Sequence, residues 1–154
     1  MKEKILKEEK QNIIQSNLFD GFAYIELYVG NVHQAVHYYR TAYGFKPVAY
    51  LGMETGVRDR TSFLLQQKNI KLILTSPISK KSSIAEHLYR HNDSVKDIAL
   101  KVNDIETAYH TLISKGAKPL QEPQKYYQGE KELYFARVRT FGDTVRAFGL
   151  DLKR

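Results

Sequence analysis

The chain states one pattern twice, and this constrains its fold more than any other feature. Tyr24-Ile25-Glu26-Leu27-Tyr28-Val29 is echoed by Asp97-Ile98-Ala99-Leu100-Lys101-Val102, at an offset of 73. A stretch with helical spacing follows each copy. Gly44-Phe45-Lys46-Pro47-Val48 is then echoed by Gly116-Ala117-Lys118-Pro119-Leu120, at an offset of 72. A unit of this length built from strand, helix and strands, present twice, predicts one domain with pseudo-twofold character. The copies differ in chemistry at Tyr24 against Asp97.

Phe22 to Val29 is rich in aromatic and β-branched residues and reads as a strand. Asn31 is placed to cap a helix carrying Val32, Ala35, Val36 and Tyr39 at i, i+3, i+4 and i+7. Gly44 is placed to end it. Strands are expected at Phe45 to Leu51, Thr61 to Gln67 (Phe63 and Leu65 on one face) and Ile70 to Thr75. Gly52 to Asp59 reads as a mobile loop with internal ion pairs. In the second copy, Val95 to Val102 is a strand. Asp104 caps a helix with Ile105, Ala108, Tyr109 and Leu112, and Gly116 stops it. Strands follow at Lys118 to Pro123, Leu133 to Arg139 and Thr144 to Leu152. The plan is an α+β fold of paired βαβββ units, each helix covering one sheet face and leaving the other curved and free. The first unit spans about 21–78, a connector 79–94 and the second about 95–152, forming a single domain over 19–154. Ser82 or Ser83 is placed to cap a short helix in the connector. Residues 1–18 form a charged helical or disordered lead-in.

A chain of 154 residues is large enough for one real core. It has no cysteine, which excludes disulfides, zinc–thiolate sites and cysteine nucleophiles. No apolar run reaches the roughly 20 residues that cross a bilayer. Met1 to Gln15 contains no apolar segment of the signal-peptide kind. A cytoplasmic location, with no membrane partner, is the expectation. The net charge of +7 is spread along the chain, with Lys80-Lys81 the only lysine pair. A solvated basic surface is therefore expected rather than a nucleic-acid site.

Several residues merit a functional reading. His87 and His91 stand at i and i+4 with Glu86 beside them, but the HExxH order and a third ligand are missing. Helix packing or surface roles are expected. His37 and His110 occupy equivalent helix positions at the solvent boundary, and His33 lies in the first helical turn. No G-x-S-x-G elbow is present. Asp97, an acid inside a strand, needs a partner or an open face. Arg137, Arg139 and Arg146 are candidate partners. Glu26 shares a strand face with Tyr24, so Tyr24, Glu26 and Asp97 are placed to converge as a polar network. Tyr24, Glu26, Asp97, Arg137 and Arg146 are the candidate ligand-binding residues. No catalytic and no metal-ligating residue is assigned.

The βαβββ pairs resemble the vicinal oxygen chelate superfamily of glyoxalases, bleomycin-resistance proteins and extradiol dioxygenases. The wording resembles the amino-terminal half of the 4-hydroxyphenylpyruvate dioxygenase family, to which hydroxymandelate synthases are related. The segments concerned are Gly21-Phe22, Tyr28-Val29-Gly30-Asn31, Gln34-Ala35, Tyr38-Tyr39-Arg40, Gly44-Phe45 and Glu54-Thr55-Gly56-Val57-Arg58-Asp59. Leu74-Thr75-Ser76-Pro77, His91 to Ala99 and Arg139-Thr140-Phe141-Gly142-Asp143-Thr144 continue the match, which runs from about Asp20 to about Leu152. The resemblance implies an iron(II) enzyme of tyrosine catabolism. Such an enzyme couples oxidative decarboxylation of a 2-oxo acid to ring hydroxylation, forming homogentisate.

In that family the catalytic iron belongs to the carboxyl-terminal half. Metal-bearing members take ligands from the first strand of each unit and from the last strand. Here the first-strand positions are Tyr24 and Asp97, and the last strand offers Val145, Arg146, Ala147 and Phe148. Two imidazoles and a carboxylate, the set suited to non-haem iron, cannot be assembled from them. The resemblance thus implies a metal-free amino-terminal domain, inactive alone. Its partner would be a catalytic carboxyl-terminal half or a second copy in a homodimer. The alternative is a stand-alone protein of the bleomycin-resistance type, holding a small aromatic acid in its concave faces. Its positive charge and 11 tyrosines suit that ligand. A reading frame continuing past Arg154 into strand-borne histidines and a glutamate distinguishes the first reading from the second.

Overall fold

The computed structural model describes residues 18–128, 131–139 and 145–151, and for 126–128, 131–133 and 145–151 it defines the backbone path only. Two βαβββ runs flank one extra helix. The first run is β1 (Phe19–Tyr28), α1 (Val32–Tyr43), β2 (Lys46–Leu51), β3 (Arg60–Gln67) and β4 (Ile70–Pro77). Helix α2 (Ser83–His91) follows. The second run is β5 (Ser94–Val102), α3 (Ile105–Ser114), β6 (Lys118–Gln128), β7 (Lys131–Arg139) and β8 (Val145–Asp151). The chain divides into two compact units, with Ala23–Ile98 the body of the first half and Ala99–Thr140 the body of the second. The division falls inside β1 and inside β5. Strand order is β2-β3-β4-β1 in the first run and β6-β7-β8-β5 in the second. In the first, β1 runs parallel to β4, and β3 is antiparallel to both β2 and β4.

The repeat is carried by the core. In the first half Val29, Val32, Val36, Phe45, Leu65 and Leu74 form one buried cluster. In the second, Val102, Ile105, Ala108, Tyr109, Ala136 and Val138 form another, joined by Leu18. Val29 and Val102, Val32 and Ile105, Val36 and Tyr109, and Leu65 and Val138 are all related by the offset that separates the two first strands. Alternation along the strands places these residues on the helix-covered face. A fully buried side chain of this kind is worth about 2 kcal/mol by burial of its apolar surface.

The helix ends explain why the offset drops from 73 to 72. Both starts are capped alike: Asn31 Oδ1 accepts from Gln34 N at 3.1 Å, and Asp104 Oδ1 accepts from Thr107 N at 3.2 Å. Both ends turn through a left-handed glycine, Gly44 at φ 75° and Gly116 at φ 94°, a conformation that costs a side-chain-bearing residue free energy. The carbonyls of Tyr39 and Leu112, still related by the larger offset, each accept from the residue after the glycine, Phe45 N and Ala117 N. The exit from α1 contains one residue more. Gly116 N also bonds Ile113 O, completing a Schellman closure. Gly44 N instead reaches Arg40 O.

Strand pairing shows the same repetition. Lys46 pairs with Gln66 and Pro47 with Leu65; the register then slips, so that Ala49 faces Leu64. Lys118 pairs with Arg139 and Pro119 with Val138; the same slip follows, and Gln121 faces Arg137. The proline, which lacks an N–H for the ladder, accompanies the bulge in both halves. Arg137 therefore occupies the register position that Leu64 holds in the first half.

Several expectations are refined. Strand β6 extends to Gln128 instead of ending near Pro123, because a long hairpin pairs it with β7 as far as Lys131. The polar run after Pro123 carries no apolar alternation to announce this. The connector contains α2, capped by Ser82 Oγ accepting from Ala85 N at 3.2 Å. Gly52 to Asp59 holds a 3₁₀ turn, Met53–Thr55, in which Thr55 Oγ1 bonds both N and O of Gly52 at 2.9 Å. The ion pair expected inside this segment lies at its edge, where Asp59 meets Arg60 of β3 at 2.7 Å. The lead-in before Leu18 lies outside the described residues.

Candidate functional site

Strand β1 divides its side chains by parity. Leu27 and Val29 pack under α1, which places Tyr24, Glu26 and Tyr28 on the opposite face. The expectation that this face is free does not hold throughout. Asp97 is 4% exposed, Ser62 8% and Thr75 0%. Buried polar groups of this kind need partners. The Tyr24 hydroxyl donates to Asp97 Oδ2 at 3.2 Å. Thr75 Oγ1 donates to Glu26 Oε1 at 2.8 Å and shares a 2.8 Å hydrogen bond with Ser62 Oγ. With Thr75 giving its only proton to Glu26, Ser62 is the donor to Thr75. The chain of bonds thus runs from Ser62 through Thr75 into the carboxylate.

The two first-strand positions singled out by the sequence, Tyr24 and Asp97, therefore touch each other. Glu26 is engaged with β3 and β4 through Thr75 and Ser62, which sequence reasoning did not single out. The available signal was hydroxyl residues standing in otherwise apolar strands. Beside this network, Arg60 is held more firmly protonated than an isolated guanidinium, first by its hydrogen bonds to Asp59 and further by the nearby Glu26 carboxylate. Asp59 is correspondingly held below the usual carboxylate range by Arg60.

The histidines divide by environment. His87 is buried, and its Nε2 lies 3.0 Å from Ser94 Oγ. Ser94 Oγ donates to Asn92 O, so it accepts from His87, which fixes the proton on Nε2. The Tyr28 ring meets His87 edge-on at 5.2 Å. His87 thus has the packing role expected for it. His91 and His110 are exposed, as is His37. Glu86 forms an i,i+4 ion pair with Arg90. Among the described residues no three His, Cys, Asp or Glu side chains gather where a metal ion would sit. A phenol bonded to a carboxylate at the first-strand positions does not match the two-imidazole, one-carboxylate set of non-haem iron. The side chain of Arg146 lies outside the described residues, as do those of Val145, Ala147 and Phe148.

In the second half, Ala136 and Val138 face α3, so Phe135 and Arg137 lie on the opposite face. The Arg137 guanidinium stands 5.2 Å from the centre of the Phe135 ring. Its Nε is buried without a hydrogen-bond partner among the described residues. A depression of about 430 Å³ at the start of α2 is lined by Lys80, Lys81, Ser82, Ala85, Glu86 and Tyr89. It is wide open and brings no buried polar group to bear on a ligand.

Paired βαβββ runs place the chain in the vicinal oxygen chelate fold class. A solved methylmalonyl-CoA epimerase from Mycobacterium tuberculosis shares this fold at a TM-score of 0.67 and 17% identity, over 89% of this chain and 91% of that one. A variant of 4-hydroxymandelate synthase from Streptomyces coelicolor superposes at a TM-score of 0.81 and 29% identity, over 88% of this chain and 40% of that one. Residues 16–149 match the family described as "Hydroxyphenylpyruvate dioxygenase, HPPD, N-terminal", and the chain belongs to that family. Relatives named 4-hydroxyphenylpyruvate dioxygenase include those of Neurospora crassa, 33% identical over 82% of this chain, and Dictyostelium discoideum, 34% identical over 84%. The chain spans 35% and 36% of their respective lengths, about a third of the curated relatives it matches. No helix among the described residues is long and apolar enough to cross a membrane.

Proposed function

We propose that this chain is the metal-free amino-terminal domain of a 4-hydroxyphenylpyruvate dioxygenase-like protein of tyrosine catabolism, acting in the cytoplasm and inactive alone. The intact enzyme would use iron(II) held by a carboxyl-terminal half to decarboxylate a 2-oxo acid and hydroxylate its ring, giving homogentisate. The observation that carries this reading is the Tyr24–Asp97 hydrogen bond. The two positions from which metal-bearing members of the fold draw ligands here satisfy each other. The part assigned to the domain is to cover apolar surface of the catalytic half and to shape contacts between copies. The test is oxygen uptake by the full chain with iron(II) and 4-hydroxyphenylpyruvate. No consumption above a metal-free control is expected, and sustained consumption would overturn the proposal.

The same reading includes association through the outer edge of the first half. Strand β2 is exposed along its whole length. Val48 is 52% exposed, Leu51 41% and Met53, in the turn after it, 63%. An apolar edge strand with unpaired backbone groups is a surface suited to a partner strand. A twofold dimer is the expected product when the partner is a second copy. Sedimentation as a monomer at high micromolar concentration would contradict it.

A further inference from the structure

Charge in the first half is segregated along its strands. Asn31 to Met53 and Arg60 to Ala85 contain no Asp or Glu. Glu54 and Asp59 lie in the β2–β3 connection, at the Arg60 end of β3. The β3–β4 turn is at the other end, roughly 24 Å away by the rise of an eight-residue strand. There the exit of α1, the start of β2 and the turn come together. Lys46 pairs with Gln66, and Gln66 with Lys71, across three neighbouring strands. Gln67 Nε2 bonds Tyr43 O at 2.6 Å, which ties the turn to the last turn of α1 and so to Arg40. Lys68 stands in the turn itself. Arg40, Lys46, Lys68 and Lys71 are all exposed, and none is ion-paired among the described residues. Glu26, two positions along from Lys71 in the β1–β4 register, accepts from Thr75 Oγ1. Ile70, beside Lys71, and Tyr38 and Tyr43 of α1 are each more than half exposed.

Glu54 and Asp59 lie well beyond the Debye length of about 8 Å, so they do not offset this charge. Four unpaired cations at one end therefore attract an anionic surface. The residues among them decide which surface fits. Tyr38 and Tyr43 stand edge to face at 5.6 Å, so each ring spends part of its surface on the other instead of offering it to a stacked base. A branched aliphatic such as Ile70, set beside lysines at a turn, offers nothing to a phosphodiester chain but is taken up by an acyl layer. Tyrosine suits the boundary between headgroups and acyl chains. From this placement we infer that the α1 exit and the β3–β4 turn dock on the surface of an anionic lipid bilayer. Ile70 enters the headgroup boundary, and the four cations face the lipid phosphates. The expectation of no membrane partner rested on the lack of a spanning segment, which surface docking does not need. The site stands on the first half alone and does not depend on a carboxyl-terminal half being present.

The test is co-sedimentation of the full chain with phosphatidylcholine vesicles, with and without about 30 mol% phosphatidylserine. The anionic vesicles are expected to bind the chain about tenfold or more tightly. That preference should vanish near 1 M salt, where the Debye length falls to about 3 Å. Lys46→Gln and Lys71→Gln should each weaken binding about fivefold, the equivalent of about 1 kcal/mol per cation near the surface. Lys68→Asn should do the same, with a residue that tolerates the φ of 51° at this position. Ile70→Ser should weaken binding without altering its dependence on salt. Lys80→Gln combined with Lys81→Gln removes two charges beyond the far end of β4 and should leave binding unchanged. Four results would overturn the inference. They are no preference for the anionic vesicles, unaltered binding in Ile70→Ser, an equal loss in the Lys80 and Lys81 double variant, or binding of a labelled oligouridylate without binding of vesicles. The third would make the attraction a property of net charge, and the last would make the patch a nucleic-acid site.

Discussion

At the centre of β3 the first half places Leu64 beside Ala49, and at the same register of β7 the second half places Arg137 beside Gln121. One layer away, on the helix-covered face, the halves agree: Leu65 and Val138 are both buried, as are Val29 and Val102. The contrast separates two demands on one repeated unit. The helix-covered face must exclude water and fill space, so it keeps apolar volume in both copies. The opposite face also buries side chains, Ser62, Thr75 and Asp97 among them, but it is not held to apolar volume and differs between the halves, with a hydroxyl–carboxylate chain in the first and an arginine–aromatic pair in the second. A repeated unit can keep its skeleton while each copy takes up a different chemistry.

The largest effect that sharpens this comparison concerns the helix exits. Gly44→Val and Gly116→Val each place a β-branched side chain at a positive φ. Each should cost about 1–2 kcal/mol, or a few degrees of melting temperature for a chain of this size. Similar losses in both variants are expected if the two exits are equivalent, although one closes as a Schellman motif. Unchanged melting in both would break the equivalence.

A smaller effect distinguishes the helix starts. Asp104 is held below the ordinary carboxylate range, first by the Thr107 hydroxyl and then by the Thr107 backbone N–H. A depressed carboxylate contributes stability above its unfolded pKa and loses it as pH falls through the lower folded value. Cap stabilisation of α3 should therefore be complete above about pH 4 and fade below it. The cap of α1 is Asn31, which does not titrate. Asp104→Asn should flatten the acid limb of a pH–stability profile, and Asn31→Asp should steepen it. Because both caps are exposed, each change should be at most about 1 kcal/mol. A profile that neither variant alters would show that the caps contribute nothing to acid sensitivity.

Much of the frame was legible in the sequence because it is local. Asn31, Asp104 and the pair Ser82-Ser83 announce caps by residue type just ahead of periodic apolar positions, and Gly44 and Gly116 announce stops; that Ser82 is the cap came from the structure. The shorter offset between the two glycines was visible too, but its cause was not. The extra residue in the α1 exit is defined by which carbonyl accepts which N–H. The bulges after Pro47 and Pro119 were likewise beyond local reading, because register is a property of two strands. The same reason hid the site's actual links. Tyr24 and Asp97 were foreseen to converge, but Glu26 reaches Thr75 and Ser62 through pairings that no single strand encodes. Arg137 was singled out as a candidate, while the burial of its Nε, with no acceptor among the described residues, depends on packing.

The central claim is that the first-strand positions of the two repeats satisfy each other and hold no catalytic metal. Anaerobic calorimetric titration of the full chain with iron(II), at neutral pH, tests it most directly. The account predicts no stoichiometric binding, and no difference between the unaltered chain and Asp97→Asn. One tight iron(II) site per chain that disappears in Asp97→Asn would contradict it.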